Sequence, residues 1–281
     1  MVRFGREFDE ECAQIFESDS KIGLFCSASP EGYPHISLIS SISVKNPKTM
    51  MWGQFSQGRS KEYLKDNPKT GFLVVSPDMR WWTGKARHTE TVVKGEDYEY
   101  FNNKPLFRYN SYLGFGAVHY GDVIDVSAGE KLPILKVALG ALKSALMKKA
   151  AASPAPAPKI PPYGMALAAK TGALKFIAWI DQDGYPRIIP ALQGTAAGPD
   201  RMVFSSLPYG ELLAQIPKDA KTAVFLANLE LESLLLQGRW LGMKGGAGGG
   251  VFEADKVYNS MLPLTGYVYP PKELPNVYGD R

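Results

Sequence analysis

The chain contains few of the residues on which several protein classes depend. Its 281 residues include only two cysteines, Cys12 and Cys26, and three histidines. Two cysteines cannot build a disulfide framework or a cysteine-rich zinc cluster, so a reducing cytoplasm is the expected compartment. The net charge of +4 is too small to indicate nucleic-acid binding. We therefore expect a cytoplasmic protein with no metal site and no nucleic-acid partner.

Long apolar runs are also missing. The first ten residues are charged and lack the apolar core of a signal peptide. No stretch has the apolar length that a membrane span requires. Hydrophobic residues nevertheless make up 45% of the chain, which is enough for a substantial core. The composition therefore predicts a globular protein without a membrane span.

Short apolar segments separated by turn residues predict a mainly β structure. The expected strands cover residues 22–28, 33–44 (with an irregularity near 40–41), 50–55, 72–75, 80–88, 90–93 and 118–126. Short helices are expected over 8–17 and 60–65, the second of which must end before Pro68. Residues 95–110 are polar and aromatic and predict an irregular excursion.

One corner between a strand and a helix concentrates polar chemistry. Arg59, Ser60 and Lys61 follow the strand over 50–55 and open the next helix. Two cations, a hydroxyl and the free N–H groups of a helix start together favour a phosphate. A solvated basic turn is the alternative reading of these three residues alone.

The middle of the chain predicts a helix followed by a linker. Over 131–152, one helical face collects six apolar residues: Leu135, Ala138, Leu139, Leu142, Ala145 and Leu146. The favoured interpretation is a helix that packs on a barrel or bridges two domains, and a basic amphipathic helix on a membrane surface is the alternative. The proline-rich stretch 153–162 predicts a stiff, extended linker and marks the domain boundary.

The second half of the chain repeats the first. The segment that starts at Glu31 (Glu-Gly-Tyr-Pro) returns at Asp183 (Asp-Gly-Tyr-Pro), and Lys69-Thr70 returns as Lys221-Thr222. Both repeats have the same offset, since 184 − 32 and 221 − 69 equal 152. A further correspondence, between residues 83–85 and 237–239, is expected two residues out of step. The sequence thus predicts two copies of one β-rich unit, which could form within one chain what a dimer forms from two.

These features resemble the FMN-binding split β-barrel family typified by pyridoxamine 5′-phosphate oxidase, which also includes flavin reductases. The resemblance rests on the Gly-Tyr-Pro hairpin, the strand that ends Trp-Gly-Gln-Phe (52–55), the Arg59–Lys61 corner, and the helix closed by Asn67-Pro68. It implies an α+β fold, mainly β with flanking helices, in which two tandem split barrels form an intrachain pseudo-dimer. The expected domains are a first barrel over 1–128, a helix and linker over 129–162, and a degenerate second barrel over 163–281.

The resemblance also implies where a cofactor binds. In this family FMN lies in the groove between two barrels, so Arg59, Ser60 and Lys61 are expected to hold its phosphate. The positions expected to approach the flavin or its ribityl chain are His35, Ser37, Trp52, Gln54 and Phe55. No catalytic residue is assigned, because the flavin itself carries the chemistry. A single histidine is more often a hydrogen-bonded structural residue than a catalyst, so none of the three is assigned a catalytic role.

The second copy departs from this pattern. Where the first copy has Gly-Arg-Ser-Lys (58–61), the second has Gly-Glu-Leu-Leu (210–213). A carboxylate at Glu211 would repel a phosphate, so one FMN per chain is expected. Arg187 and residues 237–240 are expected to wall the other side of the FMN groove. The tract Gly245–Gly250 predicts a flexible loop or a lid.

The expected function is an FMN-dependent oxidoreductase that acts on a small substrate or electron carrier. The alternatives are a non-catalytic flavin- or haem-binding protein on the same fold and a reductase that uses the deazaflavin F420. The C-terminal tail offers Lys272 and Arg281 but no basic cluster of the kind that pyridoxamine phosphate oxidases use for substrate. Pairs of such chains could associate further as a homodimer of pseudo-dimers.

Overall fold

The computed structural model describes residues 2–55, 58–104, 114–170, 172–228, 230, 232–244, 248–260 and 265–270. The first half contains β1 (Phe4–Gly5), α1 (Glu10–Glu17), β2 (Ile22–Ala28), β3 (Pro34–Leu38), β4 (Ser43–Asn46), β5 (Thr49–Gln54), α2 (Arg59–Asp66), β6 (Lys69–Val75), β7 (Arg80–Val92), α3 (Glu96–Asn103), β8 (Ala117–Ser127) and β9 (Glu130–Lys131). The second half contains α4 (Ile134–Ala151), α5 (Pro162–Ala169), β10 (Leu174–Ile180), β11 (Pro186–Pro190), β12 (Thr195–Ala196), β13 (Arg201–Ser205), α6 (Gly210–Leu213), β14 (Lys221–Ala227), β15 (Ser233–Lys244), β16 (Gly249–Asn259) and β17 (Gly266–Tyr269).

The two halves have the same sheet topology. The main path of the first sheet is β3-β2-β6-β7-β8-β5-β4, and that of the second is β11-β10-β14-β15-β16-β13-β12. Each strand of the second path is the counterpart of the strand in the same place in the first. Short additions then differ, with β1 and β9 on the first sheet and β17 on the second. The predicted fold class, mainly β with flanking helices and built as two tandem split barrels, is confirmed.

The strand register keeps the sequence offset. Cys26 pairs with Ile36, and the residues 152 positions later, Ala178 and Ile188, pair in the same way. The expected shift of two residues near Lys85 is wrong. Lys85 pairs with Gly71 and Gln237 pairs with Ala223, so Lys85 and Gln237 are counterparts without any shift. The neighbouring strand fixes the register, whereas the matching glycines at 84 and 238 pointed to a false alignment.

Local chemistry explains several element boundaries. Asp9 caps α1, because its side chain accepts a hydrogen bond from the Cys12 N–H at 2.7 Å. Helix α2 ends at Asp66, because the next residue, Asn67, has an extended conformation before Pro68. The two matching hairpin turns contain Gly32 (φ 79°) and Gly184 (φ 80°), a region of backbone space that favours glycine.

Some predicted segments have a different structure. The strand expected over 33–44 is broken at residues 40–41, where the irregularity was expected, into β3 and β4. Part of the expected excursion forms helix α3, and residues 105–110 lie outside the described part. In the glycine tract, residues 245–247 also lie outside it. Gly249 and Gly250 belong to β16, where an added Cβ would approach Met147 to 2.3 Å and Trp240 to 2.0 Å, so both positions are tightly packed strand.

Apolar packing joins the barrels. The interior of the first barrel holds an aromatic cluster that includes Phe16, Phe25 and Trp82. A second cluster runs from first-barrel residues such as Leu24 and Cys26 into the core of the second barrel. Cys26 is fully buried there, as expected for a small core residue. Burial of this seam ties the two sheets into one core.

Polar contacts across the seam follow the same pseudo-symmetry. Lys69 donates to the Asp183 carbonyl at 2.6 Å and lies over the Tyr185 ring. Its counterpart Lys221 donates to the Glu31 carbonyl and lies over the ring of Tyr33. The two barrels therefore meet as two subunits of a twofold dimer would.

Helix α4 packs with a face that the leucine pattern does not predict. Its buried residues are Gly140, Ser144, Met147 and Ala151, while the leucine face is exposed. The stretch after α4 is bound to the second barrel, since Lys159 and Ile160 both donate to the Pro199 carbonyl. The domain limits at 128 and 162 stay predictions.

Candidate functional site

The predicted phosphate corner begins helix α2. Gly58 precedes the helix with an extended backbone, φ −151° and ψ 159°, and has no side chain to cap the first N–H groups. The first residues after it are Arg59, Ser60 and Lys61. A helix start of this kind presents N–H groups and a positive dipole end to an anion. The eight-residue helix is long enough for this effect.

A pair of hydroxyl groups lies beneath the corner. The Ser60 side chain is buried, and its Oγ shares a hydrogen bond with Oγ of Ser37 on β3. The bond uses one hydroxyl hydrogen and leaves the other for a further acceptor. The fold thus brings together two predicted site residues that are 23 positions apart in the sequence.

Burial modifies the charges at the corner. Desolvation by burial lowers the pKa of Lys61 to about 8, so the ammonium form still dominates at neutral pH. The guanidinium carbon of Arg59 lies 5.1 Å from the centroid of the Tyr267 ring, and its side chain hydrogen-bonds with Tyr63. Both cations therefore remain charged while lying partly out of solvent.

His35 lies next to these cations and is almost fully buried. Its ring makes edge-to-face contacts with Tyr63 and Tyr258, with centroids 5.6 and 4.9 Å apart. Burial, followed by the charge of Arg59, lowers the pKa of His35 to about 3, so the imidazole is neutral. Its Nδ1 has no hydrogen-bond partner among the described residues. An unpaired buried polar atom beside a cationic corner is a feature that a bound polar group would explain.

A second polar network lies along β5, β7 and β8. Gln54 Oε1 is 2.8 Å from His119 Nε2, and His119 Nδ1 is 2.9 Å from the hydroxyl of Thr91, which also contacts His88. Burial, then His88 and Lys61, lower the pKa of His119 to about 4. The network orients the Gln54 amide. Sequence reasoning treated the histidines singly and missed that two of them meet across paired strands.

The remaining predicted site residues are less accessible. Trp52 is fully buried between Phe25 and the stacked ring of His119. It can therefore act on a ligand in the groove only through its neighbours. The Phe55 ring is half-buried and packs against Phe115 in a tilted arrangement, with ring centroids 3.9 Å apart. The roles of both residues toward a flavin stay predictions.

The second barrel supplies aromatic walls to this groove. Tyr258 and Tyr267 come from the neighbouring strands β16 and β17 and lie over His35 and Arg59. Tyr267 also donates to Gln237 Oε1 at 2.9 Å. The periodicity of the sequence gives no sign of these tyrosines, because their side chains reach the corner only when the two barrels meet.

Two of the expected wall residues, Arg187 and Trp240, do not line the Arg59 groove. Arg187 forms a two-pronged ion pair with Asp125, at 2.9 and 2.7 Å, and its guanidinium lies over the Phe4 ring. Phe4 lines a different groove between the barrels, the one beside Glu211. Arg187 therefore does not line the Arg59 groove. Trp240 is fully buried in the core. Gln237 is buried at the seam, where it donates to the Pro34 carbonyl.

The opposite groove is open but chemically different. It is a cavity of about 760 Å³ beside the four-residue helix α6, and its lining includes Phe4, Trp81, Glu130, Tyr209 and Glu211. Glu211 occupies the position that corresponds to Arg59, Leu213 occupies the position that corresponds to Lys61, and Glu130 and Lys131 of the first barrel both line the cavity. This chemistry disfavours a phosphate there.

The described residues contain no helix that is both long and apolar enough to cross a bilayer. They also contain no group of three or more histidine, cysteine, aspartate or glutamate side chains placed to hold a metal ion.

No protein-family model and no curated protein matches the chain. The solved structures similar to it include HupZ from Group A Streptococcus (16% identity, 41% of this chain, 89% of HupZ, TM-score 0.35). Two others are a candidate pyridoxamine 5′-phosphate oxidase from Lactobacillus delbrueckii (16%, 44% and 96%, TM-score 0.36) and an FMN-binding protein from Syntrophomonas wolfei (13%, 44% and 86%, TM-score 0.36). By its own strand order, the chain is a tandem of two split β-barrels.

Proposed function

We propose that the protein binds one FMN per chain in the Arg59 groove and acts as an oxidoreductase on a small substrate or electron carrier. The observation that carries the proposal is the composite corner: two cations and a partly buried hydroxyl pair at a helix start, covered by tyrosines of the other barrel. Either barrel alone would lack part of this arrangement.

The corner suits a phosphate dianion. Arg59 offers a planar guanidinium, Lys61 an ammonium group, and the Ser37–Ser60 pair a hydroxyl hydrogen. The N–H groups at the start of α2 add further donors. These groups would hold the phosphate and fix the register of the rest of the cofactor along the groove.

The groove also suits a flat ring system with a polar rim. Tyr258 and Tyr267 provide aromatic surface, and Gln54 provides an amide that His119 orients. When bound, FMN supplies reversible hydride and electron transfer. The residues of the chain bind it, orient it and exclude water, and none of them needs to act as nucleophile or base.

The direct test is the visible spectrum of the purified protein, with mass spectrometry of any released ligand. We expect a flavin spectrum and a mass that corresponds to FMN. A Soret band on haem addition without flavin retention would instead favour haem binding, and a released deazaflavin would favour the F420 alternative.

Comparison of FMN with riboflavin tests the phosphate assignment. Both have the same ring system, but riboflavin lacks the phosphate. We expect riboflavin to bind at least about 100-fold more weakly, because it forgoes two charge-assisted contacts. Equal affinities would refute the assignment. Reduction of the bound flavin by NAD(P)H would support an oxidoreductase, and failure with several electron donors would favour a flavin-binding protein without turnover.

A further inference from the structure

Helix α4 is fixed to the second barrel through its small residues. The Ser205 N–H donates to Ser144 Oγ at 2.8 Å, and Ser205 Oγ donates to the Gly140 carbonyl at 2.9 Å. A Cβ at Gly140 would lie 2.0 Å from the Leu207 carbonyl oxygen. These contacts set the rotation of the helix about its axis, so its outer face is also set.

That outer face is a stripe of leucines in solvent. The exposed fractions are 82% for Leu135, 59% for Leu139, 61% for Leu142 and 78% for Leu146. Their spacing of four, three and four residues places all four on one side of the helix. Scattered exposed leucines are ordinary, but a continuous stripe along about three turns marks an interaction surface.

The charge around the stripe has one sign. Residues 134–151 contain Lys136, Lys143, Lys148 and Lys149 and no aspartate or glutamate. At 100° per residue, Lys136 and Lys143 lie on one flank of the leucines and Lys149 lies on the other. The carboxylate of Glu130 precedes the helix and has the cation of Lys131 beside it in the sequence.

The leucine stripe with its lysine borders indicates which partner covers this face of α4. A second copy of the chain that packed leucine stripe on leucine stripe would bring two lysine borders together without a carboxylate from either helix. An anionic lipid surface matches both features, because acyl chains accept the leucines and headgroups accept the lysines. At about 1.5 Å per residue the 18-residue helix is roughly 27 Å long, and it lies along the barrel surface.

We propose that α4 docks the protein on an anionic membrane surface, with the helix in the plane of the interface and its leucine stripe below the headgroups. The barrels then remain on the aqueous side. This mode requires no spanning segment. It is independent of the proposed flavin chemistry.

The test is flotation of the full chain with phosphatidylcholine vesicles, with or without phosphatidylserine at roughly a third of the lipid. We expect flotation only with phosphatidylserine. Leu139→Gln/Leu142→Gln should weaken it by about tenfold or more, since it removes apolar surface. Lys136→Gln/Lys143→Gln should weaken it by a similar factor, at about fivefold per charge. The control is Val93→Gln/Ile124→Gln, which removes two exposed apolar side chains from the first barrel and should float as the wild type does.

The leucines and Lys136 are exposed and Lys143 is half-buried, so the variants should keep the fold, which circular dichroism will verify. If the wild-type chain does not float with phosphatidylserine vesicles, the proposal is wrong. It is equally wrong if the leucine variant floats undiminished. Sedimentation velocity provides the other arm: a wild-type dimer that the leucine variant converts to a monomer would identify a second copy as the occupant.

Discussion

The two grooves between the barrels differ more than the barrels themselves. The sheets share their strand order, and pairs such as Lys69 and Lys221 make the same contact across the seam. The two barrels differ at the start of helix α2 and at the start of its counterpart α6. The first groove has Arg59 at the start of an eight-residue helix, and the second has Glu211 in a helix of four residues.

The difference shows that packing and binding impose separate demands on a duplicated fold. The seam needs matching apolar surfaces and a few polar contacts from both copies, or the barrels separate. A ligand corner needs charge at one place only. In the second groove the position that corresponds to His35 is Arg187, whose charge is neutralised by Asp125. The cation of the second groove therefore stabilises the contact between the barrels through this ion pair.

The largest expected effect comes from removal of the charges of the first groove. Arg59→Ala/Lys61→Ala should weaken FMN binding by at least about 100-fold, because two charge-assisted contacts with the phosphate are lost. Isothermal titration or quenching of flavin fluorescence measures it. Lys65→Ala/Lys94→Ala removes the same charge from exposed positions and serves as the control. A double variant of the corner that still purifies with one FMN would refute the site.

Removal of Arg187, the cation of the second groove, should lower the free energy of unfolding and not the affinity for FMN. Arg187→Ala leaves Asp125 partly buried without its partner, and we expect a loss of about 2 kcal/mol in the free energy of unfolding. Urea denaturation measures this loss. Arg239→Ala, which breaks a longer and more exposed contact with Glu253, should cost at most about 0.5 kcal/mol. A large fall in FMN affinity with unchanged stability for Arg187→Ala would reverse the assignment of the grooves.

The pH dependence of FMN binding should identify Lys61. Because burial lowers the pKa of Lys61 to about 8, the ammonium group is lost from the free protein as the pH rises through this value. The phosphate of FMN is already a dianion above about pH 6. Affinity should therefore be greatest between these values and fall by about tenfold above pH 8.

Two comparisons sharpen that measurement. Lys61→Arg keeps its charge, so its affinity should stay flat over the same range. Riboflavin should show no dependence on this titration. A wild-type profile that stays flat to high pH would mean that Lys61 does not meet the phosphate.

The smallest expected effect is on the FMN stoichiometry, when the second groove receives an arginine at the position that corresponds to Arg59. Glu211→Arg should leave the stoichiometry at one FMN per chain, because Leu213, the counterpart of Lys61, is fully buried and α6 has only four residues. Equilibrium dialysis gives the stoichiometry. A second equivalent of bound FMN would show that charge alone separates the grooves.

Much of this architecture could be predicted from the sequence. The strand over 22–28 was predicted with its observed limits, and the constant offset of 152 predicted the shared strand order. Hairpins and short strands are local, since turn residues and alternation specify them. The two-residue shift expected near Lys85 was wrong, because it was inferred from matching glycines and not from strand pairing.

The candidate site could be predicted only in part. Arg59, Ser60 and Lys61 are adjacent in the sequence, so a local pattern revealed them. Tyr258 and Tyr267 lie about 200 residues further along the chain, and only the meeting of two barrels brings them to Arg59. The face that α4 buries was also beyond the sequence, because close approach at Gly140 outweighs the more apolar leucine face.

Residues close together in the chain specify the duplicated unit, its hairpins and the position of the charged corner, because turn chemistry, alternation and neighbouring charges act over a few residues. Packing between distant segments specifies which groove has aromatic walls, which arginine belongs to the seam and which face of α4 meets solvent. These outcomes depend on contacts between residues far apart in the chain, and such contacts are set by how whole surfaces fit together.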